Sequence, residues 1–411
     1  MKYISEFRSQ EAAGVLTKAI AQAANPQRQY RLMEFCGGHT HAIFRYGVQD
    51  LMPENVSFIH GPGCPVCVLP IARIDQAIEL AERHGVILCS YADMLRVPGG
   101  EGSRPAAALP PSMAVGGADS RPAAALPPSV AVAGGRRSLL KAKAQGADVR
   151  MVYSTRDALN IARENPERQV VFFAIGFETT TPPTAIALKQ AKAQGLKNFS
   201  VFCNHVLTPP AMQAILDAPE PVQIDGFLGP SHVSTIIGSR PYETFVAQYH
   251  KPVVIAGFEP LDVMQSTLML IRQLNDGRCE VENEYSRAVS PEGNLKAQAA
   301  VAEVFEMRDS FEWRGLGWLD HSALQIRPEY ADFDAERRFS LTASDAQDVK
   351  GCECPAILRG AKKPQDCKLF GTVCTPENPM GSCMVSSEGA CAAYWSYGRL
   401  RGSVAAASEV P

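Results

Sequence analysis

The residues able to do chemistry in this chain are mostly cysteines, and they fall in two places. Near the N-terminus, CGGHTH puts Cys36 beside His39 and His41, and GPGCPVC follows with Cys64 and Cys67. Near the other end, the stretch from Cys352 to Cys391 holds six cysteines among Gly and Pro turns. Two cysteines separated by two residues can close a disulfide or share a metal. A helix start beside them lowers thiolate pKa values. Pro65 stiffens the turn between Cys64 and Cys67, and a helix is expected from about Ile71. The second cysteine pair that a zinc knuckle needs is absent nearby. A redox-active dithiol is therefore the preferred reading over half a zinc site.

In CGGHTH the thiol and two imidazoles suit iron, copper or zinc, and the paired glycines let the backbone approach a ligand closely. A lone buried Cys with ordinary hydrogen-bonding histidines is the plainer alternative, but three such groups lie within six residues. Residues 352–391 contain too many Gly and Pro turns to be fixed by packing alone, and an inorganic core would fix them. Four thiolates can hold a 4Fe–4S cluster or a zinc ion. The spacing matches neither zinc pairs nor a ferredoxin run, so the residues leave the metal open. No C-x3-C-x2-C run of a radical enzyme is present.

Positioning these groups falls to a series of short, continuously apolar runs, each ending in a polar or Gly-rich turn. They are RLMEF before Cys36, VSFI before His60, VILCSY before Asp93 and VRMVY before Ser154. VVFFAIGF before Glu178, FSVFC before His205, GFLG before His232 and PVVIAGF before Glu259 follow. Such runs read as strands buried on both faces. Amphipathic stretches such as IARIDQAIELAERHG and TAIALKQAKAQG alternate with them, which argues parallel sheets with helical crossovers. Ligands in open α/β sheets bind outside the carboxyl ends of strands. Cys36, Cys64, Asp93, Glu178, His205, His232 and Glu259 all sit at or just past such ends, although any one of them can simply cap a helix or close a turn.

The expected fold is two similar parallel-sheet α/β lobes facing a cleft, residues 26–150 and 151–260. A third, mostly helical and loop-rich domain is expected from residues 1–25 and 261–411, with a frayed C-terminal tail. SRPAAALPPSMAV from Ser103 is followed by SRPAAALPPSVAV from Ser120. This duplicated insert, residues 103–135, reads as a surface loop, with docking as a polyproline segment the alternative.

The 411 residues are 46% hydrophobic and 20% charged, enough for more than one core. A formal net charge of −3 with no basic stripe gives no footprint for nucleic acid. No stretch has the apolar length of a membrane span, and MKYISEFRSQEAAG lacks the core of a signal peptide. A cytoplasmic protein is expected. In that compartment twelve cysteines point to metal or redox chemistry rather than structural disulfides.

CGGHTHAIFRYG, IHGPGCPVCVLP, DMLRVPG, VVFFAIGFETT and LFGTVCTPENPMGSCMVSSEGACAAY, in that order over nearly the whole chain, resemble the HypD family of nickel–iron hydrogenase maturation factors. The resemblance implies a metallocentre-assembly scaffold with redox activity rather than a conventional enzyme. With the small chaperone HypC, it carries an iron that gains one carbon monoxide and two cyanides, the cyanide arriving from HypE and HypF. It further implies that Cys36 holds this iron jointly with a HypC cysteine and that Cys64 and Cys67 are a redox pair. The family pattern C-x14-C-x6-C-x16-C lands on Cys352, Cys367, Cys374 and Cys391 as ligands of a 4Fe–4S cluster. Cys354 and Cys383 are left over, and Cys352 and Cys354 compete for one position. On this reading His39 and His41 position the ligand or shuttle protons. The cluster stores electrons for the dithiol to pass on, and Glu178 with Thr179 hydrogen-bonds the cyanides. A duplicated Ala/Pro insert between Pro98 and Ser138 departs from the family. Two other classes remain: a general thiol-disulfide oxidoreductase with an Fe–S electron source, and a zinc-stabilised interaction protein.

Overall fold

The computed structural model describes residues 5–100, 136–220, 222–342, 346 and 348–398. The duplicated insert and the C-terminal tail lie outside them. All eight apolar runs form strands: β1 Tyr30–Glu34, β2 Val56–His60, β3 Ile87–Ser90, β4 Val149–Met151, β5 Val170–Gly176, β6 Phe199–His205, β7 Gly226–Pro230 and β8 Val253–Ala256. A ninth, β9 Val281–Asn283, follows. They build two parallel sheets, ordered β2-β1-β7-β8-β9 and β4-β3-β5-β6.

Period-2 alternation explains why each run is continuously apolar. In β5, Val171, Phe173 and Ile175 enter one core while Val170, Phe172 and Ala174 enter another. In the first sheet Leu32, Leu228, Val254 and Ala256 face a core shared with the helices Gln10–Ala23, Gly37–Tyr46 and Pro260–Asp276. Their neighbours Met33, Phe227, Val253 and Ile255 face the opposite way. They join a cluster that also takes Leu88, Val171 and Phe173 of the second sheet and the buried cysteines of residues 354–391. The two α/β lobes thus share apolar packing with the C-terminal segment.

The lobes do not divide at residue 150. β1 and β2 pair with β7 to β9, across the whole second sheet in sequence, as in the register Leu32↔Gly226. β3 and β4 pair with β5 and β6. Residues 10–23 and 260–283 likewise belong to the first sheet and its helical layer rather than to a separate domain. Patterning identifies a buried strand, but pairing across a long separation leaves no local trace, so division by sequence order misassigned the halves. Past the helix Leu295–Val304 come four short strands, β10 Phe305–Met307, β11 Ser310–Trp313, β12 Gly317–Asp320 and β13 Leu324–Ile326. They pair antiparallel as β10-β13 and β11-β12, where mostly helix and loop was expected.

Candidate functional site: a thiol centre at the sheet switch point

In the first sheet the chain runs from β1 outward to β2 on one side and from β7 outward to β8 on the other. The helix after β1 lies against the face of Leu32, while the helix Ser231–Ile237 after β7 sends Val233 into the core of the opposite face. Two helices leaving opposite faces at neighbouring strands open a crevice between them. Cys36 follows β1 and His232 follows β7, and their Sγ and Nδ1 atoms lie 3.8 Å apart.

Cys36 is the N-cap of the helix Gly37–Tyr46. Its backbone N–H donates to Oε2 of Glu34 at 3.0 Å. Glu34, fully buried at the end of β1, also accepts from Thr40 Oγ1 and pairs with His60 Nδ1 at 2.8 Å. One carboxylate thus fixes the thiol's backbone, the first helical turn and the end of β2. Gly37 is required by contact: a Cβ there would lie 2.4 Å from Cβ of Glu388. Glu388, whose carboxyl is pushed up to about 6 by burial and by Asp93 and Glu34, brings the C-terminal segment over the site. Asp93 lies in the short helix Ala92–Arg96 that follows β3, so both sheets' strand ends and the C-terminal segment bear on the site.

Burial, with Glu388 close by, pushes the Cys36 thiol well above the usual range, and it stands protonated. His232 is exposed on one side and stacks on Phe258 at 3.7 Å between centroids; burial of its inner side, together with His39, lowers its pKa to about 4. It is therefore a neutral acceptor beside an S–H donor. His39 is fully buried, with Nε2 3.0 Å from the carbonyl of Ala256. A carbonyl only accepts, so Nε2 carries the proton and Nδ1 keeps its lone pair, with no partner among the described residues. His41, two residues on, points elsewhere: its ring meets Tyr397 edge-on at 5.3 Å and Arg45 at 3.5 Å. The structure brings His39 to Cys36 and does not bring His41.

Cys64 and Cys67 are joined as a disulfide. Cys64 caps the one-turn helix Pro65–Val68, its sulfur accepting the Cys67 N–H at 3.2 Å, with Pro65 in the first helical position. The helix expected from Ile71 follows, as Ile71–Arg83. The pair faces the other thiol group through Ser382. That fully buried hydroxyl donates to the Cys67 carbonyl at 2.9 Å and lies 3.6 Å from Sγ of Cys354.

The six C-terminal cysteines come together: Cys354 hydrogen-bonds both Cys352 and Cys383, and the charges of Cys352, Cys354, Cys367 and Cys374 all reach Cys391. Cys374 Sγ accepts the Met380 N–H at 3.4 Å, and a Cβ on Gly381 would lie 2.7 Å from Cys352 Sγ. Among the described residues no three His, Cys, Asp or Glu side chains close on a single ion. A thiol-only donor set with a backbone N–H on sulfur and a glycine clearing room at Cys352 fits an iron–sulfur cluster.

Glu178, expected at the centre, accepts instead from Thr208 N at 2.8 Å and Thr208 Oγ1 at 3.0 Å, tying β5 to the helix Thr208–Leu216. Buried Tyr242, hydrogen-bonded to Ser234 Oγ at 3.2 Å, lies within electrostatic reach of both Glu178 and Cys36. His205 is buried against Thr184 at 3.0 Å, and Glu259 pairs with Arg8. Sequence reading did not assign Glu34, His60, His232, Ser382 or Glu388. His60 and His232 carried a signal, their places after apolar runs; Glu34 hides inside one.

A family model described as "HypD: Hydrogenase formation hypA family" matches residues 11–108 and 125–398. A hydrogenase maturation factor HypD of Azotobacter vinelandii is 61% identical over the whole of both chains. The hydrogenase maturation factor HypD of Cupriavidus necator is 59% identical over 98% of each chain. That of Escherichia coli is 44% identical over 97% of this chain and 98% of its own.

Proposed function

Since the chain belongs to the HypD family of hydrogenase maturation factors, we propose that it is the scaffold on which the iron of a nickel–iron hydrogenase acquires two cyanides and one carbon monoxide. HypC shares the iron through Cys36, and HypE, charged by HypF, delivers the cyanide. The observation that carries this reading is the protonated Cys36 thiol beside the neutral, partly open His232 at the switch point of the first sheet.

A ferrous ion arriving as substrate needs a thiolate, so binding must release the Cys36 proton. His232 Nδ1, beside the sulfur on a partly open ring, would relay that proton toward solvent rather than keep it, since its pKa of about 4 leaves it neutral. Glu34 holds the Cys36 backbone through this change, since its hydrogen bond is to the N–H and not to the sulfur. His39, fixed by the Ala256 carbonyl, keeps a lone pair for a proton or a ligand. Phe258, stacked on His232, keeps bulk water from that side of the ring.

Cys352, Cys367, Cys374 and Cys391 would hold the 4Fe–4S cluster, which supplies one-electron redox chemistry when bound. Opening the Cys64–Cys67 disulfide takes two electrons and two protons, and its Cys67 end is the one seated on Ser382. The two thiol groups lie in one buried cluster and meet through Ser382, a short path by which electrons would pass between them. Cells lacking their own HypD are expected to regain hydrogenase activity with this chain but not with its Cys36→Ala variant. Full activity with Cys36→Ala would overturn the anchor role.

A further inference from the structure

One aromatic ring packs against both sides of the Cys36–His232 contact. Phe258 lies on the first turn of the helix Gly37–Tyr46, where a Cβ on Gly38 would come 2.7 Å from its Cδ1, and it carries the His232 ring at 3.7 Å between centroids. His39 stands 5.6 Å away. Gly38 is therefore needed for the ring to enter. His232 is otherwise exposed, so Phe258 is the wall that keeps its Nδ1 3.8 Å from the Cys36 sulfur. Cys36 itself is only 7% exposed.

The loop that carries this ring, residues 257–259, is tied down on either side of it. The Gly257 N–H donates to Glu284 Oε2 at 3.0 Å, and a Cβ on Gly257 would lie 2.1 Å from Oδ2 of the fully buried Asp262. Asp262 in turn accepts the Glu259 N–H at 3.2 Å and pairs with Arg287 at 2.5 Å. The turn Ser5–Arg8 closes over these anchors. The Arg287 guanidinium lies 4.1 Å from the ring of Phe7 and 4.3 Å from that of Tyr285. Arg8 donates through both Nε and Nη2 to the Glu259 carboxylate, the second bond at 2.9 Å. It also lies over Tyr46, the last residue of the helix that Cys36 caps. A two-pronged pair of this kind fixes direction as well as distance.

We propose that Phe258 is a positioning residue of the Cys36 centre, acting through His232, and that the turn Ser5–Arg8 is the latch that keeps its loop closed. Releasing the latch lets the loop leave, frees His232 and opens Cys36 to a partner carrying the iron's ligands. No bond to sulfur changes in this opening, only the packing around it. The inference rests on Cys36 as the working thiol, but its test needs neither iron nor cyanide, so the two can fail separately.

The test is labelling of the anaerobically purified full chain with N-ethylmaleimide, followed by peptide mass mapping. The exposed Cys279 calibrates the reagent, and the buried Cys89 and Cys203 report general loosening. Labelling of a buried thiol follows the population of its opened form. Phe258→Ala is expected to raise the Cys36-to-Cys279 rate ratio at least about tenfold, the scale of losing one packed side chain. Phe258→Tyr keeps the ring and should stay near the parent. Arg8→Ala should raise the ratio about threefold. It should add nothing in the Phe258→Ala background, because the latch acts through the ring. If Phe258→Ala does not fold, Arg8→Ala decides: a rise supports the proposal and an unmoved ratio overturns it. Cys89 and Cys203 rising in step with Cys36, or additive effects of the two changes, would overturn it in favour of a merely structural loop. Either result leaves the anchor role of Cys36 to its own test.

Discussion

At the scale of single residues, the chemistry rests on which thiols are held protonated, which are bonded and which have acceptors nearby. Cys36 is a neutral thiol with a neutral imidazole against it, whereas Cys64 and Cys67 are already oxidised to each other. One thiol cannot complete a disulfide exchange, so Cys64→Ser and Cys67→Ser should each abolish hydrogenase maturation. Mass-tagging of free thiols under oxidising and reducing conditions should show a reversible two-thiol shift with unchanged metal content. A tag pattern indifferent to redox state would rule out the dithiol. The CGGHTH and GPGCPVC strings made these residues visible in the sequence, because thiols and imidazoles at short spacing are rare enough to be noticed. Glu34 was not visible, since a single acid inside an apolar strand reads as a gap in the pattern until its three hydrogen-bond partners are seen.

At the scale of elements, the strand ends divide into those that serve the thiol centre and those that hold the scaffold. Glu178 belongs with the second: its carboxyl spans the end of β5 and the first turn of the helix Thr208–Leu216. Burial raises its pKa from 4.5 to about 7, against the hydrogen bonds from Thr208. The unfolded chain then releases this proton near pH 4.5 while the folded chain keeps it to about 7. The unfolded state binds fewer protons in that window, so stability is fully present below it and falls as pH rises through it. The loss amounts to roughly 3 kcal/mol at most. Glu178→Gln mimics the protonated form and should flatten that fall, measured by denaturant unfolding at pH 5 and pH 8. Equal pH dependence in parent and variant would show that Glu178 ionises freely. All eight strands were legible as apolar runs, five of them (β3, β5, β6, β7 and β8) because they are buried on both faces, and the position of Glu178 at a strand end was legible with them. Its engagement by Thr208 was not, because Thr208 follows a different strand whose place beside β5 is set by pairing.

At the scale of the molecule, the two sheets are interleaved along the chain. β1 finds β7 only after the second sheet has been laid down between them in sequence. The Cys36–His232 contact therefore exists only once the fold is complete, and no local pattern announces it. The Ala/Pro insert lies outside the described residues. Its flanks already meet, Gly99 N–H donating to the Arg137 carbonyl at 2.8 Å, and the family model passes over residues 109–124. Lengthening a loop whose ends are fixed changes stability only slowly, by about 0.6 kcal/mol per doubling. Deleting residues 103–132 should leave hydrogenase maturation near the parent level, while loss of HypC binding would show that the insert serves as a partner surface.

The central claim is that Cys36 anchors the iron during ligand addition, apart from the C-terminal thiols. Infrared spectroscopy of the chain purified anaerobically with its HypC partner tests this most directly, because metal-bound cyanide and carbon monoxide absorb where protein does not. The parent complex should show both sets of bands, and Cys36→Ala should lose them while keeping its fold and its cluster iron. Unchanged bands in Cys36→Ala would contradict the account.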